Sequence, residues 1–334
     1  MTTPSPLPPP PTVNLWVVLS ESKRIINAHS RHFLALSVLF LLPLCFSVTV
    51  FPSVSRLILD QSSSPHHNSV SLLRNTLHHH HDATKTPLLL LIAYIAVVAV
   101  LNLLAIGSIS YSVHQGFYGR PVKLVSAVRS SFSSFLPLLA TLITSNLIVL
   151  SIFSILGFTA LLLTRVVTVI SLDHASPAVI FISLAVVVKL YVYWILSWAV
   201  VVVESSWGLT SLKRSRTLIK GMESVSLSMI LLFAVAQASF VWVSAVATYD
   251  DGKLWTSAFF VVVQIVVTSA VLTVLMLYYV AATTVMYMYC KAVRGELAWE
   301  IAEEFAREYV SLPFDDGKVP HLVSVAYDNN NNHV

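Results

Sequence analysis

Leu88-Leu89-Leu90-Leu91-Ile92-Ala93-Tyr94-Ile95-Ala96-Val97-Val98-Ala99-Val100-Leu101 is the stretch whose reading decides the fold. It holds no charge and no turn former, and its apolar character carries on to Ser112. At about 1.5 Å per residue such a run is long enough to cross a hydrocarbon core roughly 30 Å thick. Five further runs read the same way: Phe33–Phe51, Phe135–Leu163, Ala178–Val203, Leu227–Thr248 and Thr256–Met288. The chain of 334 residues is 56% hydrophobic and only 11% charged, against roughly 25% charged in a soluble domain. The bilayer is therefore the solvent. Helices satisfy their own backbone hydrogen bonds in lipid, whereas a β-barrel would need alternating segments of about ten residues. The expected fold is an all-α, polytopic membrane protein with six transmembrane helices.

Charge orients these spans. Fourteen of the 20 Lys and Arg residues fall on one side: Lys23, Arg24, Arg31, Arg120, Lys123, Arg129, Lys213, Arg214, Arg216, Lys220, Lys291, Arg294, Arg307 and Lys318. The other side holds Arg56, Arg74, Lys85, Arg165 and Lys253, and Lys189 lies inside a span. By the positive-inside rule both termini are cytosolic, which agrees with an even number of crossings. An endomembrane or the plasma membrane is the expected location. No cleavable leader is apparent, so the first span reads as a signal anchor.

The basic links carry helical periodicity of their own. In 15–32, Leu15, Val18, Leu19, Ser22 and Ile26 share a face, with Glu21, Lys23, Arg24 and Asn27 turned away. In 120–132, Val122, Val125 and Phe132 oppose Lys123 and Ser130. In 209–221, Leu209, Leu212 and Ile219 oppose Lys213, Thr217 and Lys220. Three amphipathic interfacial helices are expected, and basic helices of this kind meet anionic headgroups. Their headgroup candidates are Lys23, Arg24, Arg120, Lys123, Lys213, Arg214, Arg216 and Lys220. The pattern of interfacial helix, span, loop and span is used three times, which suggests an internal repeat. A fourth, acidic helix follows over 295–312, with Glu296, Glu300, Glu303, Glu304 and Glu308. Its acidic side is expected to dock against the basic helices or protein partners, the alternative being a solvated surface helix. The domain plan is a Pro-rich disordered tail at 1–13, a six-span domain at 14–294, this helix, and a disordered tail at 313–334.

Some of these residues also carry a resemblance. Val202-Val203-Glu204 is followed by Gly208, by Leu212-Lys213-Arg214-Ser215, and by Leu218, Lys220 and Gly221. The run resembles one in bacterial YciC-like inner-membrane proteins. It is also similar to one in the membrane domain attached to some glycerophosphodiester phosphodiesterases. Leu19-Ser20-Glu21-Ser22-Lys23-Arg24-Ile25-Ile26 and Tyr118-Gly119-Arg120-Pro121-Val122 look like the same group. Over most of 14–295 the chain looks like a plant family of uncharacterised six-span proteins. The resemblance implies a six-helix fold with interfacial helices. It does not carry over phosphodiesterase activity, because no soluble phosphodiesterase domain is present.

Lys189 is the sharpest single residue. It lies near the middle of Ala178–Val203, roughly 16 Å from either interface at 1.5 Å per residue. A lysine at the midplane costs at least about 2.5–3.5 kcal/mol, so it should face the bundle and find oxygen partners. Asn102, Asn146, Gln237 and Gln264 lie in other spans and can offer amide oxygens. Such a site points either to a polar clasp or to a small-solute transporter or channel centred on Lys189. Glu204 opposes the dipole of the helix it ends, so it needs another reason, and pairing with Lys213, Arg214 or Arg216 would supply one.

His66, His67 and His78-His79-His80-His81 enrich the first loop on the poorly basic side, yet adjacent histidines rarely close a metal site, so no metal is expected. Cys290, beside Lys291 and Arg294, suits palmitoylation or is an ordinary membrane-edge thiol. No nucleophile, base and acid can meet in the spans, and no cofactor fingerprint is present, so neither enzyme activity nor a cofactor is expected. The basic patches belong to no nucleic-acid-binding fold; membrane lipids are the expected partners.

Overall fold

A computed structural model of the protein describes residues 13–51, 85–166, 172–247 and 254–310. The Pro-rich tail, the His-rich loop and the Asn-rich C-terminal tail lie outside these residues. Among those described, every regular element is helical. In chain order they are α1 (Leu15–Ala28), α2 (Ser30–Phe51), α3 (Lys85–Phe117), α4 (Leu124–Val166) and α5 (Leu172–Trp194). Then come α6 (Ser197–Glu204), α7 (Leu209–Ile219), α8 (Glu223–Ala247), α9 (Leu254–Val293) and α10 (Glu296–Val310). Six candidate spans result: one each from α2, α3, α4, α8 and α9, and one from α5 with α6, which lie within a single apolar segment, Phe181–Glu204. The expected all-α, six-span architecture is present.

The burial pattern is that of a chain dissolved in lipid. Large apolar side chains such as Leu89, Ile95, Phe158, Phe181 and Trp242 are exposed, while Ser108, Ser110, Ser112, Ser131, Thr141, Ser269 and Thr284 are buried. Hydrocarbon gives apolar side chains no reason to hide, so helices associate through small residues and interhelical hydrogen bonds. The Ser131 hydroxyl donates to the Leu104 carbonyl at 2.7 Å, and a Cβ placed on Gly107 would meet the Ser131 Cα at 3.1 Å. Thr49 and Ser269 pair at 2.7 Å, Thr284 donates to Ser110 at 3.2 Å, and His32 Nε2 sits 2.9 Å from the Ser112 hydroxyl. The core lies in the half of the spans nearest α1 and α7, among Leu103–Val113, Val192–Val201 and Val280–Cys290.

Local chemistry explains three departures from straight helix. Residues Ser37–Leu41 of α2 form a π-helical turn just ahead of Pro43, whose ring and missing N–H an ordinary turn cannot accommodate. The chain between α5 and α6 breaks at Ile195–Leu196 although no Gly or Pro lies there. The Val192 carbonyl accepts the Ser226 hydroxyl at 3.2 Å, and the Tyr193 carbonyl accepts the Ser215 hydroxyl at 2.7 Å. The turn between α6 and α7 holds Ser205 at φ 52° and Gly208 at φ 64°, both in the left-handed region. The Gly208 N–H donates to Thr141 Oγ1 at 3.0 Å, tying this turn to α4.

Of the three segments expected to be interfacial helices, two form separate helices, α1 and α7. The second does not: residues 124–132 are the opening turns of α4, continuous with the third span through Pro137. Val125 and Phe132 point outward, and Ala127 and Ser131 pack inward, because the close approach to Gly107 admits only small side chains.

Residues from Lys291 onward form a second compact unit, which includes α10. Within it Lys291 Nζ pairs with Glu300 Oε2 at 2.8 Å, and Trp299 is exposed.

Candidate functional site

The basic face is built on α1 and α7. On α7, Leu212, Ser215, Leu218 and Ile219 are buried, while Lys213, Arg216 and Lys220 are exposed on the opposite side. The Arg216 guanidinium lies 5.5 Å from the centre of the Tyr193 ring, which holds it against the end of α5. On α1, Val18, Ser22, Ile25 and Ile26 are buried, and Lys23 and Arg24 are exposed. Glu21 accepts a hydrogen bond from Arg24 Nε at 2.9 Å, and this bond together with the carboxylate's charge raises the Arg24 pKa further. Arg120 and Lys123, at the start of α4, are exposed as well, and Arg120 lies 5.4 Å from the Tyr118 ring centre.

Arg214 stands apart from the other headgroup candidates. It is turned inward and pairs with Glu204, Nε to Oε2 at 3.1 Å, while Tyr287 donates to Glu204 Oε1 at 2.8 Å. The carboxylate at the end of α6 thus joins α7 and α9, and Arg214, partly exposed, meets a protein carboxylate.

Lys189 does not face the bundle. It is exposed and has no hydrogen-bond or ion-pair partner among the described residues. The hydrogen bonds of Val192 and Tyr193 set those residues level with α7 and the first turns of α8. Lys189 is one turn, about 5 Å, from that level. It lines an open groove of about 570 Å³ with Phe181, Leu184, Val188, Tyr193, Glu223 and Leu227.

None of the four amides reaches it. Asn146 Nδ2 donates to the Leu142 carbonyl of its own helix at 2.9 Å. Gln237 points at the Met276 sulfur and Gln264 at Thr268, each at 3.5 Å. Asn102 lines a separate, partly open cavity of about 140 Å³ with Ser110, Tyr191, Trp198, Tyr279 and Thr283. The Tyr191 and Tyr279 hydroxyls meet at 3.1 Å on its wall. Asn102 Oδ1 is buried without a hydrogen-bond partner among the described residues. Sequence reasoning assigns Tyr279 and Tyr287 no function, because such tyrosines read equally well as packing residues or interface anchors, and it does not single out Tyr191.

Cys45 and Cys290 are both buried thiols, and Cys290 Sγ lies 3.5 Å from Met222 Sδ. Burial withdraws Cys290 from acylation. No group of His, Cys, Asp or Glu suited to a metal exists among the described residues.

Six lipid-exposed apolar helices packed through buried hydroxyls define a polytopic helical membrane protein. The chain belongs to the family described as Domain of unknown function (DUF8558), whose model matches residues 12–316. No curated protein and no solved structure matches it.

Proposed function

We propose that the protein is a non-enzymatic organiser of the membrane it spans, gathering anionic lipid beneath α1 and α7 and offering α10 to partner proteins. The observation that supports this reading is the division of α7: every buried position is apolar or a serine, and Lys213, Arg216 and Lys220 share the exposed face. In this reading that face is cytosolic, both termini lie on the same side, and the membrane is an endomembrane or the plasma membrane. Cytosolic leaflets are anionic, and each basic residue near the surface contributes about 1 kcal/mol of attraction. Kinship with the YciC-like proteins belongs to the same proposal. A small-solute pathway centred on Lys189 is the weaker reading, since Lys189 does not line the cavity around Asn102.

The test is lipid enrichment. Protein extracted directly from its membrane in polymer-bounded discs should carry more anionic lipid than the bulk membrane. The triple variant Lys213→Glu, Arg216→Glu, Lys220→Glu should lose most of that excess. Equal enrichment in the triple variant would overturn the proposal.

A further inference from the structure

We propose that the groove between α5 and α8 is a binding site for one aminophospholipid, with the lipid phosphate on Lys189 and its ammonium on Glu223. The groove has two chemically distinct parts. Phe181, Leu184, Ala185 and Val188 of α5 follow at spacings of three, four and seven, so they form one apolar wall about 10 Å long. Leu227 of α8 faces that wall across the groove. At one end the lining turns polar: Lys189, Tyr193, Glu223 and Ser224. An acyl chain matches the first part and a headgroup the second.

The charges argue for the occupant. An ammonium exposed on a lipid-facing surface costs free energy unless an anion meets it, and inside a bilayer the abundant anion is the lipid phosphate. Lys189 has no protein partner among the described residues to take that role. Glu223 opens α8 on the same rim. It forms no ion pair with Lys189, although both line one groove, and its side-chain interaction is with Tyr193. An anion site and a cation site left separate across a groove mouth complement a zwitterionic headgroup. A primary ammonium can donate hydrogen bonds to the Glu223 carboxylate; a trimethylated one cannot. Ser224 adds a hydroxyl donor for a phosphate oxygen.

Lys189 lies about one turn along α5 from Val192 and Tyr193, whose carbonyls accept hydrogen bonds from α8 and α7. The outward lysine, costly as a midplane charge, is affordable as the anchor of a bound lipid.

This inference does not rest on the leaflet-wide reading above. Lys189 and Glu223 are outside α1 and α7, so enrichment of anionic lipid and occupancy of the groove succeed or fail separately. The experiment is a thermal-unfolding titration of the purified full-length protein in detergent with phosphatidylethanolamine, phosphatidylcholine or phosphatidylglycerol. Phosphatidylethanolamine should stabilise the wild type at the lowest lipid concentration. Lys189→Gln should weaken that response about tenfold, the worth of one charge-assisted hydrogen bond, while Lys189→Arg keeps it. Glu223→Gln should erase the preference for phosphatidylethanolamine over phosphatidylglycerol. The Lys189 side chain is exposed, so the lipid-free melt of Lys189→Gln should match the wild type. A Lys189→Gln protein that responds like the wild type overturns the site. Tightest response to phosphatidylglycerol, unchanged by Glu223→Gln, overturns the headgroup assignment.

Discussion

Glu204 shows what a single residue's position costs and what offsets it. A carboxylate at a helix C-terminus opposes the macrodipole by about 0.3–1 kcal/mol. Two donors offset that cost, the Arg214 guanidinium and the Tyr287 hydroxyl. The sequence named three basic candidates for the pairing, and α7 geometry selects among them. Lys213 and Arg216 fall on the face opposite Leu212 and Ile219, while Arg214 falls between the faces and turns inward. Replacing Glu204 with Ala strands Arg214, which is only partly exposed. The expected loss is about 1–3 kcal/mol, read as a lower melting temperature in detergent. A variant that melts with the wild type would show the pair to be incidental. Lys189 carries the opposite lesson. Its neighbours along the chain place it mid-span, yet the face it occupies depends on how α5 is rotated, and periodicity is uninformative in a helix apolar all round.

At the scale of elements, serine decides more than the apolar pattern does. The break between α5 and α6 has no Pro or Gly to announce it. Hydroxyls from two other helices, Ser215 of α7 and Ser226 of α8, bond the carbonyls just ahead of it. Each such bond contributes about 0.6–1.5 kcal/mol. The double variant Ser215→Ala, Ser226→Ala should therefore lose about 1–3 kcal/mol in a detergent melt, and more than either single variant. If the double variant keeps full stability, the break is held by packing alone. The opening turns of α4 follow the same rule. In lipid the packing face is the one with Ala127, Ser131 and a close backbone, and the bulky residues turn outward.

For the whole molecule, the distribution of Lys and Arg makes a definite topological prediction. Cys45 and Cys290 are buried, so new thiols can be read without removing them. Ser5→Cys and Ser63→Cys proteins should label from opposite sides of sealed vesicles with a membrane-impermeant maleimide, Ser5→Cys from the cytosolic side. Labelling of both from one side would refute the six-crossing orientation.

What the sequence determined by itself is the solvent, the number of crossings and the side on which positive charge collects. Those follow from length, hydropathy and charge, which are additive along the chain and need no knowledge of neighbours. What only the tertiary structure decided is which face of each helix meets another. It placed Arg214 inward and Lys189 outward, gathered Tyr191, Tyr279 and Asn102 around a cavity, and withdrew Cys290 from the surface. The physical reason is that lipid rewards no particular face of an apolar helix. Rotation is fixed by hydroxyls and small residues whose partners lie 22 to 174 residues away.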